Sequence, residues 1–244
     1  MRPVPEPGGR GASKEIYVRH LFDSIAHRYD LLNTLLTFNL DKHWRRFAAA
    51  RTGLGPGGAA LDVCCGTGML ALELARLVGP HGKVVGLDFS EAMLRVAEKR
   101  LARRKEGAVI RLVRGNAVAL PFPDNTFDCA TIGFALRNVP DVEKTLMEMR
   151  RVVRPGGKVV SLELAHPGVL GFRQAYQFYF YYLVPLLGRL GVGLKGPYSY
   201  LPNSVRRFPH QKEILTLFQA LGLVDVRLFE LTGGVVAVHV GTKV

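Results

Sequence analysis

An α/β fold of the doubly wound, Rossmann-like kind is predicted by three observations in the sequence. Strand-type and helix-type segments alternate between residues 59 and 163, an order that builds a parallel sheet with helices on both faces. Within that stretch an apolar strand ends in a glycine loop, A-A-L-D-V-C-C-G-T-G-M-L-A at Ala59 to Ala71, and runs straight into an amphipathic helix. Two β-rich runs close the chain, spaced as an antiparallel hairpin that completes a seven-stranded, mostly parallel sheet.

Taken in order, helical periodicity is read at about 16 to 28 and 40 to 51, ahead of the first strand at 59 to 63. Helices follow at 68 to 78, 90 to 104 and 141 to 153, and strands at 83 to 88, 109 to 113, 127 to 134 and 157 to 163. Beyond residue 163 come an aromatic helix, a loop from about 188 to 208, a helix near 210 to 221, and strands at 224 to 231 and 234 to 242. Residues 1 to 12 are rich in proline and glycine and too poor in apolar side chains to pack, so they are read as a disordered arm. They carry no apolar core of a signal peptide. Residues 13 to 244 then form one domain, with a substrate-covering insertion at about 166 to 208. The length and the 48% hydrophobic content suit a single large core.

The glycine loop predicts a nucleotide-type cofactor. Gly66 and Gly68 let the backbone turn tightly and approach a ligand, and the helix that follows offers unpaired N–H groups. The spacing Gly66-x-Gly68-x-x-Ala71 also satisfies a dinucleotide pattern, but Asp62 at the strand end would repel a pyrophosphate and would suit a cationic head. S-adenosylmethionine has such a head, an ammonium and a sulfonium. Asp88, 22 residues beyond Gly66, is placed to accept the ribose hydroxyls. Asn116 and the Ala117 backbone are placed to meet an adenine edge. Thr67, Phe89 and Gly133 complete the predicted cofactor set.

Cys64, Cys65 and Cys129 show no CxxC spacing and read as reduced, buried thiols. The seven histidines show no ligand spacing, so no metal site is expected. The net charge of +13 has three readings: a solvated helical face, an RNA surface, or attraction to anionic lipid headgroups. Arg95, Lys99, Arg100, Arg103, Arg104 and Lys105 crowd one segment, and Arg45, Arg46 and Arg51 another. A nucleic-acid amino-methylase carries an N/D-P-P-Y/F-type run after strand four, where this chain reads I-G-F-A-L-R-N-V, so no nucleic-acid partner is expected. Seven of the 22 aromatics lie between Phe172 and Tyr182, and Gln174 to Gly188 carries no charge. That stretch is too short to span a membrane and is interrupted by Pro185, but it suits a greasy wall for a long apolar substrate. It could as readily pair in a homodimer.

Three segments carry a closer resemblance. They are Y-D-L-L-N-T-L-L-T-F-N-L-D-K-H-W at Tyr29 to Trp44, R-V-V-R-P-G-G-K-V-V-S-L-E-L-A at Arg151 to Ala165, and Y-S-Y-L-P-N-S-V-R-R-F-P at Tyr198 to Pro209. The last is joined by T-G-G-V-V-A-V-H-V-G-T-K at the end of the chain. From about Ile16 onward the chain resembles the ubiquinone/menaquinone biosynthesis C-methyltransferases (UbiE/MenG). It departs from them at Leu32, Thr37, Asp41 and Ala165, where methionine, serine, histidine and serine are usual. The resemblance implies the fold of a class I S-adenosylmethionine-dependent methyltransferase. It also implies methyl transfer to a ring carbon of a polyprenylated quinol. The N-terminal region is more similar to the menaquinone-type members, which favours demethylmenaquinol over a polyprenyl-methoxybenzoquinol. A cytoplasmic enzyme, with peripheral contact at the inner face of the membrane as an option, follows from such a substrate.

A deprotonated quinol needs no cysteine adduct, because its oxygen pushes electron density onto the ring carbon. Two tasks remain: stabilising the phenolate and aligning carbon, methyl and sulfur. Arg137 and Asn138, just past the fourth strand, are the predicted residues for them. Tyr29, Asp30 and His166 are candidates for a general base, and Tyr29 is kept in the catalytic set. Tyr198, Tyr200, Asn203 and Arg206 read as lid and substrate contacts.

Overall fold

The computed structural model describes residues 12–168, 174, 176, 179 and 197–244. Most of the predicted arm and most of the aromatic segment therefore lie outside the described residues. The chain opens with three helices, α1 (Ala12–Ile25), α2 (Tyr29–Leu36) and α3 (Leu40–Ala50). Then come β1 (Ala59–Val63), α4 (Met69–Val78), β2 (Lys83–Asp88), α5 (Glu91–Leu101), β3 (Ile110–Arg114), β4 (Phe127–Gly133), α6 (Val142–Val152) and β5 (Val153–Leu164). The described chain finishes with α7 (Pro197–Arg207), α8 (Gln211–Ala220), β6 (Leu223–Leu231) and β7 (Val236–Lys243).

The seven strands lie in the order β3-β2-β1-β4-β5-β7-β6. Strands β1 to β5 run parallel, and β7 is antiparallel to both β5 and β6. The class I architecture expected from the sequence is the one observed. Strand order reverses beside β1, whose neighbours are β2 and β4, so the loops after β1 and β4 diverge and leave a crevice at the carboxyl ends of the strands. β1 and β4 are buried on both faces, as parallel strands covered by helices must be, and read as near-continuous apolar runs. Strand β7 is likewise buried because β5 and β6 flank it, whereas the edge strand β6 keeps charged side chains such as Asp225 and Arg227.

Helix α3 is fixed on the β5/β7 side by Trp44 and Ala48, which pack with Val160, Leu162, Val236 and Val238. The Trp44 indole also donates to Thr232 Oγ1 at 2.9 Å. This anchorage turns the neighbouring Arg45 toward the crevice.

Two predicted features differ. Residues 29–36, unassigned in the sequence, form α2, which has no buried residue. Its apolar stripe faces a cavity and solvent rather than the core, so the signal that marks a core helix is missing. Part of the expected loop, residues 197–207, is helical despite Pro202 inside it. Val205 and Leu201 hold that helix against Leu36, Leu164, Tyr176 and Tyr179, a tertiary contact that overrides the proline and asparagine turn signals.

Candidate active site

At the end of β1 the chain turns through Cys64, Gly66 and Gly68 with positive φ values of 55°, 54° and 78°. Gly66 N then donates to Asp88 Oδ2 at 2.8 Å, and Ser90 N donates to Asp88 Oδ1 at 2.9 Å, tying the loop to the end of β2. Each oxygen of Asp88 keeps a further lone pair for a ligand. Burial pushes the Asp88 carboxyl up to about 6, against the pull of these backbone bonds. Asp62, beside it, accepts from Thr131 Oγ1 through Oδ1 at 2.8 Å, while its buried Oδ2 has no partner. Burial pushes Asp62 up to about 7, although Thr131 and the charge of Arg45 both favour its ionised form. A buried carboxylate with an unmatched oxygen is costly when ionised, and a cation beside it would offset that cost.

Around these groups lies a cavity of about 930 Å³ lined by Asp62, Gly66, Thr67, Asp88, Phe89, Asn116, Ala117 and Gly133, all predicted from the sequence. Helices α1 and α2 close it with Val18, Phe22 and Tyr29. Two polar clips hold them down. Asp30 pairs with Arg100 and accepts from Thr67 Oγ1 at 2.8 Å, and Ser90 Oγ donates to Asp23 at 2.5 Å.

A second cavity of about 1030 Å³ adjoins the first. Its wall is apolar and aromatic, with Leu21, Ile25, Leu32, Leu36, Trp44 and Leu164 beside Tyr176, Tyr179 and Tyr200. Phe22, Tyr29, Arg45 and Phe134 line both cavities, so they mark the place where the contents of one meet the contents of the other. Arg137 lines the second cavity and Asn138 the first. Arg137 is buried and held by Glu163, by the Phe134 carbonyl at 2.7 Å and by Ser204 at 3.3 Å. Burial opposes its charge, but Glu163, with Tyr29 and Tyr200 nearby, holds the guanidinium above its ordinary value. Tyr200 donates to Asn138 Oδ1 at 3.0 Å, joining α7 to the loop after β4.

A glycine-loop cavity that can take a cationic head, set against an apolar cavity, matches what sequence comparison finds. The chain belongs to the ubiE/COQ5 methyltransferase family. That family's profile matches residues 10–243. The chain is 49% identical over 233 residues to the demethylmenaquinone methyltransferase of Desulfitobacterium hafniense (strain Y51), covering 96% of this chain and 92% of the relative. It is 47% identical over 231 residues to the one from Geobacillus sp. (strain WCH70), covering 95% and 98%. Among solved structures, a SAM-dependent methyltransferase from Aquifex aeolicus superposes with a TM-score of 0.60 at 20% identity, over 82% of this chain and 89% of that one. A Thermotoga maritima SAM-dependent methyltransferase, described as a possible histamine N-methyltransferase, does so with 0.63 at 21%, over 93% and 100%. At these identities the structures show the fold. The protein is an S-adenosylmethionine-dependent methyltransferase.

The residues present fit that cofactor. In this methyltransferase the unpartnered Oδ2 of Asp62 would suit a cation, Asp88 a diol, and the Asn116–Ala117 turn, where Val118 N donates to Asn116 Oδ1 at 3.2 Å, a purine edge. Gly68 differs from expectation: it is absent from the cavity wall and serves by starting α4 in a left-handed conformation. Asp30 lines neither cavity; its carboxylate pairs with Arg100 and accepts from Thr67. His166 lines neither cavity; its ring stacks on His210, and burial lowers its pKa. Among the lid candidates Tyr200 reaches the cavity, while Asn203 and Arg206 are exposed and absent from its wall. The Tyr198 side chain lies outside the described residues. Burial raises all three thiols above their ordinary range, which disfavours the reactive thiolate. No group of metal-binding side chains occurs among the described residues.

The basic clusters divide as well. Arg100 clips α2, Arg45 is buried against Asp41, and Arg51 covers the rings of Phe47 and Phe229. Asp41, where the resemblance expects histidine, is therefore half of a buried ion pair. Arg45 lines both cavities, a position the sequence does not single out. Its only signal was helical spacing, which puts it four residues after Asp41 and beside the anchored Trp44.

Proposed function

We propose that this methyltransferase methylates a ring carbon of demethylmenaquinol, with S-adenosylmethionine in the glycine-loop cavity and the quinol in the adjoining apolar one. The observation that carries this is the shared wall of Phe22, Tyr29, Arg45 and Phe134, which makes one point of contact between a cofactor-shaped and a lipid-shaped space. The names of the relatives supply the ring. The cofactor supplies an electrophilic methyl group on a sulfonium. The chain must orient the quinol, favour its phenolate and exclude water.

Arg137 is the proposed phenolate partner, in a different sense from a bare charge. Glu163 balances its charge, so its value lies in a donor whose position is fixed before the substrate arrives, which costs little reorganisation in the transition state. Asn138, oriented by Tyr200, and Tyr29, on the shared wall, hold the oxygen and the ring at the junction. A polyprenyl tail would run along the aromatic wall toward α2.

That substrate would reside in a membrane, and we infer peripheral contact with one. No helix among the described residues is long and apolar enough to cross it. Leu31, Leu35 and Phe38, exposed on α2 and just after it, stand next to the cavity residues Leu32, Leu36 and Thr37.

The test is single-turnover methylation of short-chain reduced demethylmenaquinone across a pH series, with a methoxybenzoquinol analogue alongside. Removing Arg137 alone would strand buried Glu163 at a cost of about 3 to 5 kcal/mol, so the variant to compare is Arg137→Leu/Glu163→Gln. Its rate is expected to fall about a hundredfold or more while donor affinity stays nearly unchanged, with partial recovery at higher pH. Turnover equal to the wild type would remove Arg137 from the mechanism.

A further inference from the structure

The cofactor cavity has a cation in its wall, Arg45, paired on one side with Asp41. Of the residues that line it, Asp62 and Asp88 are the only anions and Arg45 is the only cation among the described residues. Asp88 is placed for a ribose and Asp62 for an ammonium. The amino-acid end of S-adenosylmethionine carries its ammonium and its carboxylate on one carbon, so a site that holds the first brings the second within reach of any adjacent cation. We infer that Arg45 binds the α-carboxylate of S-adenosylmethionine and that Asp41 orients it for that purpose. This rests on the placement of the cofactor given above.

Several features agree. Arg45 is 6% exposed, and what it shows of itself faces the cavities. Its Nη1 donates to Asp41 Oδ2, which leaves Nε and Nη2 in a fixed plane for a ligand oxygen. The guanidinium lies over the Phe134 ring at 5.1 Å from its centroid, and Phe134 follows Gly133 on the cavity wall. Arg45 and Asp62 line the same cavity, so one zwitterion can meet both.

The ligand can be varied instead of the fold. Calorimetric titration would compare S-adenosylmethionine with its decarboxylated analogue, which keeps the ammonium and sulfonium and lacks only the carboxylate. The wild type should bind the intact donor at least about tenfold more tightly, the size expected for charge-assisted hydrogen bonds. In Arg45→Met/Asp41→Asn, which strands neither charge, that preference should shrink to about twofold or less. Arg45→Lys should keep part of it, and Asp88→Ala should weaken both ligands alike. A wild type indifferent to the carboxylate, or a double variant that keeps the full preference, overturns the inference about Arg45 and leaves the cofactor placement standing. Asp88→Ala binding both ligands as well as the wild type does would overturn both.

Discussion

Replacing Asp62 with asparagine should make the ligand-free protein more stable at about pH 8 and at the same time loosen its hold on S-adenosylmethionine. In the folded chain this carboxyl is raised from 3.8 to about 7 by burial, with Oδ2 left bare. The sign follows from proton binding: the folded state holds this proton more tightly than the unfolded state. The contribution of Asp62 to stability is therefore full below about pH 4 and lost as pH rises through about 7. Above that, keeping the buried carboxylate ionised costs about 4 kcal/mol. Asparagine never ionises and can still accept from Thr131, although its unmatched amide takes back roughly 1 to 3 kcal/mol. The net gain is about 1 to 3 kcal/mol near pH 8, or a rise of about 2 to 12 °C in melting temperature for a chain of this size. Melting curves at several pH values would show the gap narrowing toward pH 5, and calorimetry would show donor affinity at least about tenfold weaker. A variant less stable than the wild type near pH 8, a gap independent of pH, or unchanged donor affinity would each refute the assignment of Asp62 as an unpaired anion awaiting a cation.

Two further outcomes are expected. Asp88→Ala should weaken S-adenosylmethionine by at least about tenfold in calorimetric titration if, as proposed, Asp88 makes two charge-assisted bonds to the ribose, and NAD binding by the wild type would instead point to a dehydrogenase pocket. Flotation with anionic vesicles should fall as salt rises and fall further in Leu31→Ser/Leu35→Ser/Phe38→Ser; binding indifferent to both changes would place the contact elsewhere.

Much of the lining of the glycine-loop cavity was legible in the sequence because it is local. Asp62, the turn at Gly66 and Asp88 occupy strand ends, and a parallel sheet brings successive strand ends to one edge whatever the rest of the chain does. The element order around them followed from alternation for the same reason. Other assignments depended on partners far along the chain, and no local pattern names a partner. Asp30 reads as a free acid beside Tyr29 until Arg100, 70 residues away, is folded onto it. Arg137 reads as a bare charge until β5 brings Glu163 to it across 26 residues. Helix α2 is hidden because its apolar face lines a cavity, and α7 because packing against Leu36 and Tyr176 outweighs a proline. Arg45 is the plainest case: the sequence offers it as one of three surface cations, and only the docking of Trp44 against the sheet turns it inward to the wall that the two cavities share. Composition and periodicity determine which segments form and where strand ends gather. Which charges remain unmatched inside is decided by tertiary packing, because burial and pairing are properties of distant residues brought together.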